Sequence, residues 1–107
     1  GLFGASTGAA AALIAAAERD KFVSAVVSRG GRVDLAGEYL AQVRAPTLLI
    51  VGSLDAQIMR LNRAAAAKLR CENVLEEVPG ATHLFGEPGK LTVVAELARD
   101  WLVKWLT

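Results

Sequence analysis

A serine between two glycines stands near the start of the sequence, in the pattern Gly4-Ala5-Ser6-Thr7-Gly8. A Gly-x-Ser-x-Gly pattern is typical of a sharp turn from a strand to a helix that presents the serine hydroxyl outward. A serine hydroxyl is a weak nucleophile at neutral pH unless a histidine takes its proton and a carboxylate orients that histidine. The chemistry predicted for Ser6 is therefore attack on an acyl group.

The two partners that such a serine needs occur further along the chain. Asp55 follows the clearest strand-like apolar run, and His83, the only histidine, follows a later run. The order serine, aspartate, histidine is one in which this catalytic triad occurs in proteins. We therefore predict Ser6 as the nucleophile, Asp55 as the acid and His83 as the base.

Each of these residues also has a purely structural interpretation. Ser6 and Asp55 could each cap the helix that follows, and His83 could be a partly exposed loop residue. For Asp55 and His83 taken singly the structural role would be favoured, but both fall where predicted strands end, and that coincidence favours the triad. Asp34 is the rival acid, although its place before an apolar helical pattern favours a role as a helix cap.

Strands and helices must alternate to position these residues. Hydrophobic patterns predict them in this order: strand 1–5, helix 7–18, strand 22–27, helix 34–43, strand 47–51, helix 57–69, strand 73–78 and helix 91–106. Such an alternation predicts an α/β fold with three αβα layers around a mostly parallel sheet of about four strands. Ligands bind beyond the carboxyl ends of parallel strands, so the three candidate residues are expected at one edge.

The length and composition favour a single domain over residues 1–107. The chain is 53% hydrophobic and 21% charged, unlike disordered proteins. Its net charge of +1 offers no broad surface for nucleic acid or anionic lipid, so we expect neither partner. The longest apolar stretch is shorter than the roughly 20 residues of a spanning helix. A single cysteine suits a reducing compartment, and we expect a cytoplasmic protein.

Further groups would complete a site around Ser6. The backbone N–H of Thr7 can donate to the oxyanion of acyl transfer, and a second donor normally comes from a loop after an earlier strand. Arg29 and Arg32 flank Gly30-Gly31 and could hold an anionic group of a substrate, although a solvated arginine loop is at least as favoured. We predict no metal site.

Four segments of the chain resemble a known family. Residues 1–8 (GLFGASTG), 28–36 (SRGGRVDLA), 45–52 (APTLLIVG) and 78–85 (VPGATHLF) resemble the dienelactone-hydrolase-like α/β-hydrolases. The chain looks most like bacterial members that are sometimes fused to a phosphoribosyltransferase domain. The resemblance implies hydrolysis of a small-molecule ester or lactone through an acyl-enzyme, with no metal or organic cofactor. By matching motif it assigns Ser6 as nucleophile, Asp55 as acid and His83 as base.

Two departures from that family bear on activity. Dienelactone hydrolases proper have a cysteine where this chain has Ser6, so a carboxylesterase-like activity is expected. The family fold also has several strands before the serine turn, which carry the second oxyanion donor and one wall of the pocket. We therefore expect the C-terminal half of an α/β-hydrolase. The alternative function is a weak or inactive remnant that folds by self-association.

The lack of those strands would leave the first strand of this chain with an unpaired edge. Unpaired N–H and C=O groups along an edge are a template for pairing with another strand. We therefore expect either a homodimer about a two-fold axis or pairing with the missing N-terminal segment.

Overall fold

The computed structural model describes residues 1–106, along which strands and helices alternate. In chain order the elements are β1 (Leu2–Ala5), α1 (Thr7–Glu18), β2 (Val26–Arg29), the 3₁₀ helix η1 (Val33–Gln42), β3 (Thr47–Gly52), α2 (Ala56–Lys68), β4 (Asn73–Val78) and α3 (Lys90–Leu106). Apart from β2, each begins and ends within one residue of its predicted bounds.

All four strands are parallel and lie in the order β1-β2-β3-β4. Because each strand is added on the same side of the previous one, right-handed crossovers place α1, η1 and α2 on one face of the sheet. The last helix, α3, packs on the opposite face, against β2, β3 and β4. The predicted fold class, three αβα layers around a parallel sheet of four strands, is confirmed.

The two faces of the sheet are covered by two hydrophobic cores. Successive residues of a strand point to opposite faces, so Val26 and Leu49 pack under α1 and η1, whereas Val27, Leu48 and Ile50 pack under α3. This continuous apolar character is typical of parallel strands that are covered on both faces. No helix among residues 1–106 is both long and apolar enough to cross a membrane.

The second strand lies further along the chain than the sequence predicts. It comprises Val26–Arg29 rather than residues 22–27, and Phe22 lies in an exposed turn. The register of the sheet explains the difference: Val26 pairs with Thr47 at the start of β3, and its N–H donates to the carbonyl of Pro46. Apolar character alone does not determine where pairing begins. One consequence is that Arg29 ends a strand instead of lying in a loop.

The segment predicted as a helix over residues 34–43 is a 3₁₀ helix that is interrupted in the middle. Gly37 has φ 53° and ψ −124°, a conformation that divides the segment in two. The prediction that Asp34 caps this helix is wrong, because Arg32 occupies the position before the first helical residue, Val33.

Two neighbouring valines on α3 test whether this helix packs as described. Val94 is 4% exposed in the core and Val93 is 39% exposed. Val94→Ala should lower the free energy of unfolding by about 2 kcal/mol, because two buried methyl groups are lost and a cavity remains. Val93→Ala, the same change one residue away, should stay within about 0.5 kcal/mol. Urea unfolding measures both, and equal losses would contradict this placement of α3.

Candidate active site

Three side chains from the carboxyl ends of β1, β3 and β4 form a chain of contacts. The hydroxyl oxygen of Ser6 lies 2.9 Å from Nε2 of His83. On the other side of the ring, Nδ1 of His83 lies 2.7 Å from Oδ2 of Asp55. The structure therefore brings together the three residues that the sequence singles out, although they lie far apart in the chain.

The proton positions of this chain follow from its donors and acceptors. A carboxylate only accepts hydrogen bonds, so Nδ1 of His83 carries a proton and donates it to Asp55. In the neutral ring Nε2 then has a free lone pair, which accepts the hydroxyl proton of Ser6. The Asp55 side chain is 14% exposed and that of His83 is 38% exposed, so the carboxylate is shielded while the ring edge faces solvent.

The structural alternatives for Ser6 and Asp55 do not describe what these side chains do. Both residues stand directly before a helix, Ser6 before α1 and Asp55 before α2, and neither side chain makes a capping hydrogen bond. Each instead contacts His83, which is engaged through both ring nitrogens.

The turn that carries Ser6 is strained and tightly packed. Ser6 has φ 50°, which is rare for a residue with a side chain. Its N–H donates to the carbonyl of Arg29 at 3.3 Å, and its own carbonyl accepts from the N–H of Arg32 at 2.9 Å. A Cβ added at Gly4 would lie 2.5 Å from the carbonyl oxygen of Gly8, so a glycine is required there. At Gly8 an added Cβ meets nothing within 4 Å.

The backbone N–H of Thr7, predicted as an oxyanion donor, lies at the start of α1. Thr7 is the first residue of α1, so its N–H has no partner within the helix. It adjoins Ser6, and the positive end of the helix dipole favours negative charge at this point. No group of three or more His, Cys, Asp or Glu side chains that could hold a metal ion is found in the part of the chain that the structure describes.

The two arginines predicted to hold a substrate anion have different surroundings. Arg32 binds Asp34 through two hydrogen bonds of 3.0 Å, which raise the pKa of Arg32 and lower that of Asp34. The rival acid Asp34 thus contacts Arg32, and the structure brings neither of them to His83. Arg29 lies beside the histidine loop, where Nη1 donates to the carbonyl of Leu84 at 3.5 Å and the guanidinium lies 5.7 Å from the Phe85 ring centre.

Sequence reasoning missed the residues that support the loop of His83. Phe85 is fully buried with φ 56°, and Glu87 binds Thr82. The loop crosses the ends of β2 and β3 closely: a Cβ at Gly30 would lie 3.2 Å from the carbonyl oxygen of His83, and one at Gly52 would clash with Ala81. A large aromatic residue in a polar loop was the available signal for Phe85.

No family model matches the sequence. The dienelactone hydrolase structure from Anabaena variabilis superposes with a TM-score of 0.95 at 54% identity, over 96% of this chain and 48% of that one. Est1E from Butyrivibrio proteoclasticus shares the fold at 14% identity with a TM-score of 0.80, over 97% of this chain and 60% of that one. A CIB-like hydrolase from Thermoplasma acidophilum also shares the fold, at 22% identity with a TM-score of 0.71, over 92% of this chain and 46% of that one.

Curated relatives are longer still. Two Mycobacterium tuberculosis proteins, from strains CDC 1551 and H37Rv, are 58% identical over 106 residues, which is 99% of this chain and 24% of theirs. Both carry the provisional name phosphoribosyl transferase. The chain thus spans about a quarter of these relatives and about half of the dienelactone hydrolase.

These matches define the class of protein. The fold is that of half an α/β-hydrolase. Within that class, the resemblance to the dienelactone-hydrolase-like α/β-hydrolases is confirmed.

The two glycines of the serine turn should differ in their tolerance of a side chain. Gly4→Ala should lower the free energy of unfolding by about 2–3 kcal/mol, because the new Cβ overlaps the first turn of α1. Gly8→Ala lies in the helix with open space around it and should raise stability by about 0.5–1 kcal/mol. Chemical denaturation of both variants provides the measurement. A Gly8 variant as unstable as the Gly4 variant would refute this packing.

Proposed function

We propose that the chain is the part of a serine hydrolase that carries the nucleophile, the base and the acid, and that it acts on small carboxylic esters or lactones through an acyl-enzyme on Ser6. The observation that carries the proposal is the unbroken chain of hydrogen bonds from Ser6 through His83 to Asp55. The hydrolase fold of the structural relatives supports the same class of chemistry.

In the first half-reaction Ser6 would be acylated. As its hydroxyl oxygen attacks the carbonyl carbon of the ester, the proton passes to Nε2 of His83, which lies 2.9 Å away. The resulting imidazolium is stabilised by Asp55, and the N–H of Thr7 donates to the oxyanion. Collapse of the tetrahedral intermediate expels the alkoxide, which takes the proton from His83.

In the second half-reaction water would release the acid. Nε2 of His83 removes a proton from water, which attacks the carbonyl carbon of the acyl-serine. Collapse of this second intermediate expels the Ser6 oxygen, which regains its proton from His83. All protons are returned, and the chemistry requires no metal or organic cofactor. A substrate with an anionic group would meet Arg29, since Arg32 is engaged by Asp34.

The provisional name of the Mycobacterium tuberculosis relatives points to a different reaction. That name belongs to proteins of which this chain matches 24%. Within the matched part, the arrangement of Ser6, His83 and Asp55 supports acyl transfer, and we therefore assign the hydrolase chemistry to this part.

A second candidate function rests on the edge of the sheet. Among the described residues β1 has a neighbouring strand on one side only, and Phe3 on that strand is 51% exposed. These features support a weak or inactive remnant that associates through β1 with a second copy or with another segment. Its oxyanion hole would have Thr7 as donor, and loss of one donor typically costs about 10²–10³ in rate.

Covalent labelling tests Ser6 as the nucleophile. A fluorophosphonate probe should add one label, which peptide mass spectrometry places on Ser6, because His83 accepts the proton as the serine attacks phosphorus. Ser6→Ala should abolish labelling. Ser24→Ala removes an exposed serine away from His83 and should leave labelling unchanged. Equal labelling of the wild type and Ser6→Ala would exclude Ser6.

The roles of the two aspartates can be separated by one assay. Asp55→Asn should lower kcat for a p-nitrophenyl ester by about 10³–10⁴, because the histidine loses the carboxylate that fixes its tautomer. Asp34→Asn also removes one negative charge, but Asp34 binds Arg32 and not His83. This change should therefore alter kcat by less than about tenfold. A rate that is equal in the wild type, Asp55→Asn and Ser6→Ala would favour the remnant.

A further inference from the structure

The loop between β4 and α3 has to hold His83 for two contacts at once. The ring must keep Nε2 at 2.9 Å from Ser6 and Nδ1 at 2.7 Å from Asp55. His83 itself is part-exposed, so packing alone does not fix the ring. The backbone on either side of the residue therefore helps to set where the ring points, together with its contacts to Ser6 and Asp55.

The chain before and after His83 is anchored in the core. Ala81 is fully buried, and its carbonyl accepts from the N–H of Leu54, the residue before Asp55. Phe85 is buried among the residues under α3. Between these two anchors Thr82 is exposed, and it immediately precedes His83.

Glu87 binds Thr82 with both oxygens of its carboxylate. Oε1 accepts the backbone N–H of Thr82 at 3.0 Å, and Oε2 accepts its hydroxyl at 2.6 Å. The carbonyl of Thr82 accepts from the N–H of Phe85 at 3.2 Å. The peptide groups on both sides of Thr82 are thereby held, and the second of them joins Thr82 to His83.

We propose that Glu87 is a positioning residue for His83: by holding Thr82 it sets the direction in which the imidazole leaves the backbone. This role rests on the proposed function, in which His83 is the base. Within the part of the chain that the structure describes, Glu87 forms no hydrogen bond with Ser6 or His83, so it acts through Thr82.

The charge of Glu87 favours this role. The hydrogen bonds from Thr82 lower the pKa of Glu87, and the nearby charge of Lys90 contributes in the same direction. The group is therefore ionised at neutral pH, and hydrogen bonds to a carboxylate are stronger than those between neutral groups. Because these bonds are exposed to solvent, their loss should change the orientation of the loop more than the stability of the protein.

The first test measures the ring directly and does not depend on catalysis. His83 is the only histidine, so its Nδ1 proton gives a single NMR signal. In Glu87→Ala we expect this proton to exchange with water about tenfold faster than in the wild type, because the bond to Asp55 is held less of the time. Glu87→Gln keeps an oxygen acceptor for Thr82 but loses the charge, so its exchange rate should fall between those of the wild type and Glu87→Ala. Unchanged exchange in Glu87→Ala would overturn the proposal.

The second test measures the consequence for Ser6. With excess fluorophosphonate, the final extent of labelling measures the fraction of the protein that is folded. The rate constant of labelling measures how well His83 is placed to take the proton of Ser6. Glu87→Ala should react about tenfold more slowly to full extent, and Glu87→Gln should react at a rate between those of Glu87→Ala and the wild type. Glu96→Ala, which removes an exposed carboxylate from α3, is the matched control and should react like the wild type.

The outcomes separate the two proposals. A wild type that is not labelled at Ser6 would overturn the hydrolase function, while the exchange of the Nδ1 proton would still decide the role of Glu87. Wild-type labelling together with an equal rate in Glu87→Ala would overturn the positioning role alone. Thr82→Val removes only the hydroxyl contact; it should slow labelling in the wild type and add nothing in Glu87→Ala, since both changes break the same link. Additive effects would contradict the proposed path through Thr82.

Discussion

The hydrogen bond between Ser6 and His83 joins the loops that follow the two outermost strands of the sheet. Ser6 follows β1 and His83 follows β4, with β2 and β3 between them, a span of about 14 Å at the usual strand spacing. The loop after β4 has to cross the ends of the two central strands to make this contact. Gly52 at the end of β3 and Gly30 after β2 lack the Cβ atoms that would block its path. The glycines at these two positions thus follow from one contact.

Backbone strain is concentrated at Ser6 and near His83, at the residue two positions after it. Among the described residues, Ser6 and Phe85 are those with a side chain and a positive φ. Such conformations cost about 1–3 kcal/mol each and persist only where the surroundings enforce them. Hydrogen bonds to the backbone of Arg29 and Arg32 enforce the turn at Ser6, and burial of the ring enforces the turn at Phe85. The packed sheet therefore stabilises a geometry that the local sequence disfavours.

The difference between local sequence preference and contacts made across the fold explains what could be predicted from the sequence. Patterns within one element determine the helices α1, α2 and α3 and the strand β3, and a parallel sheet then places Ser6, Asp55 and His83 at one edge. The start of β2 depends on its register with Thr47, and the break at Gly37 on a local backbone angle, so neither follows from hydrophobic pattern. The link from Glu87 to Thr82 is a contact within an irregular loop, where no periodicity exists to reveal it.

The proposed reacting groups and the open edge of β1 are close neighbours with separate roles in the proposed function. In the proposed reaction, proton transfer requires Ser6, His83 and Asp55, and all three are held by elements within this half of the fold. Selection of an acyl group requires walls around Ser6, and on the β1 side the sheet has an open edge among the described residues. A partner strand that pairs with β1, from a second copy or from another segment, would thus alter substrate binding and oxyanion stabilisation first. It would leave the path of the proton unchanged.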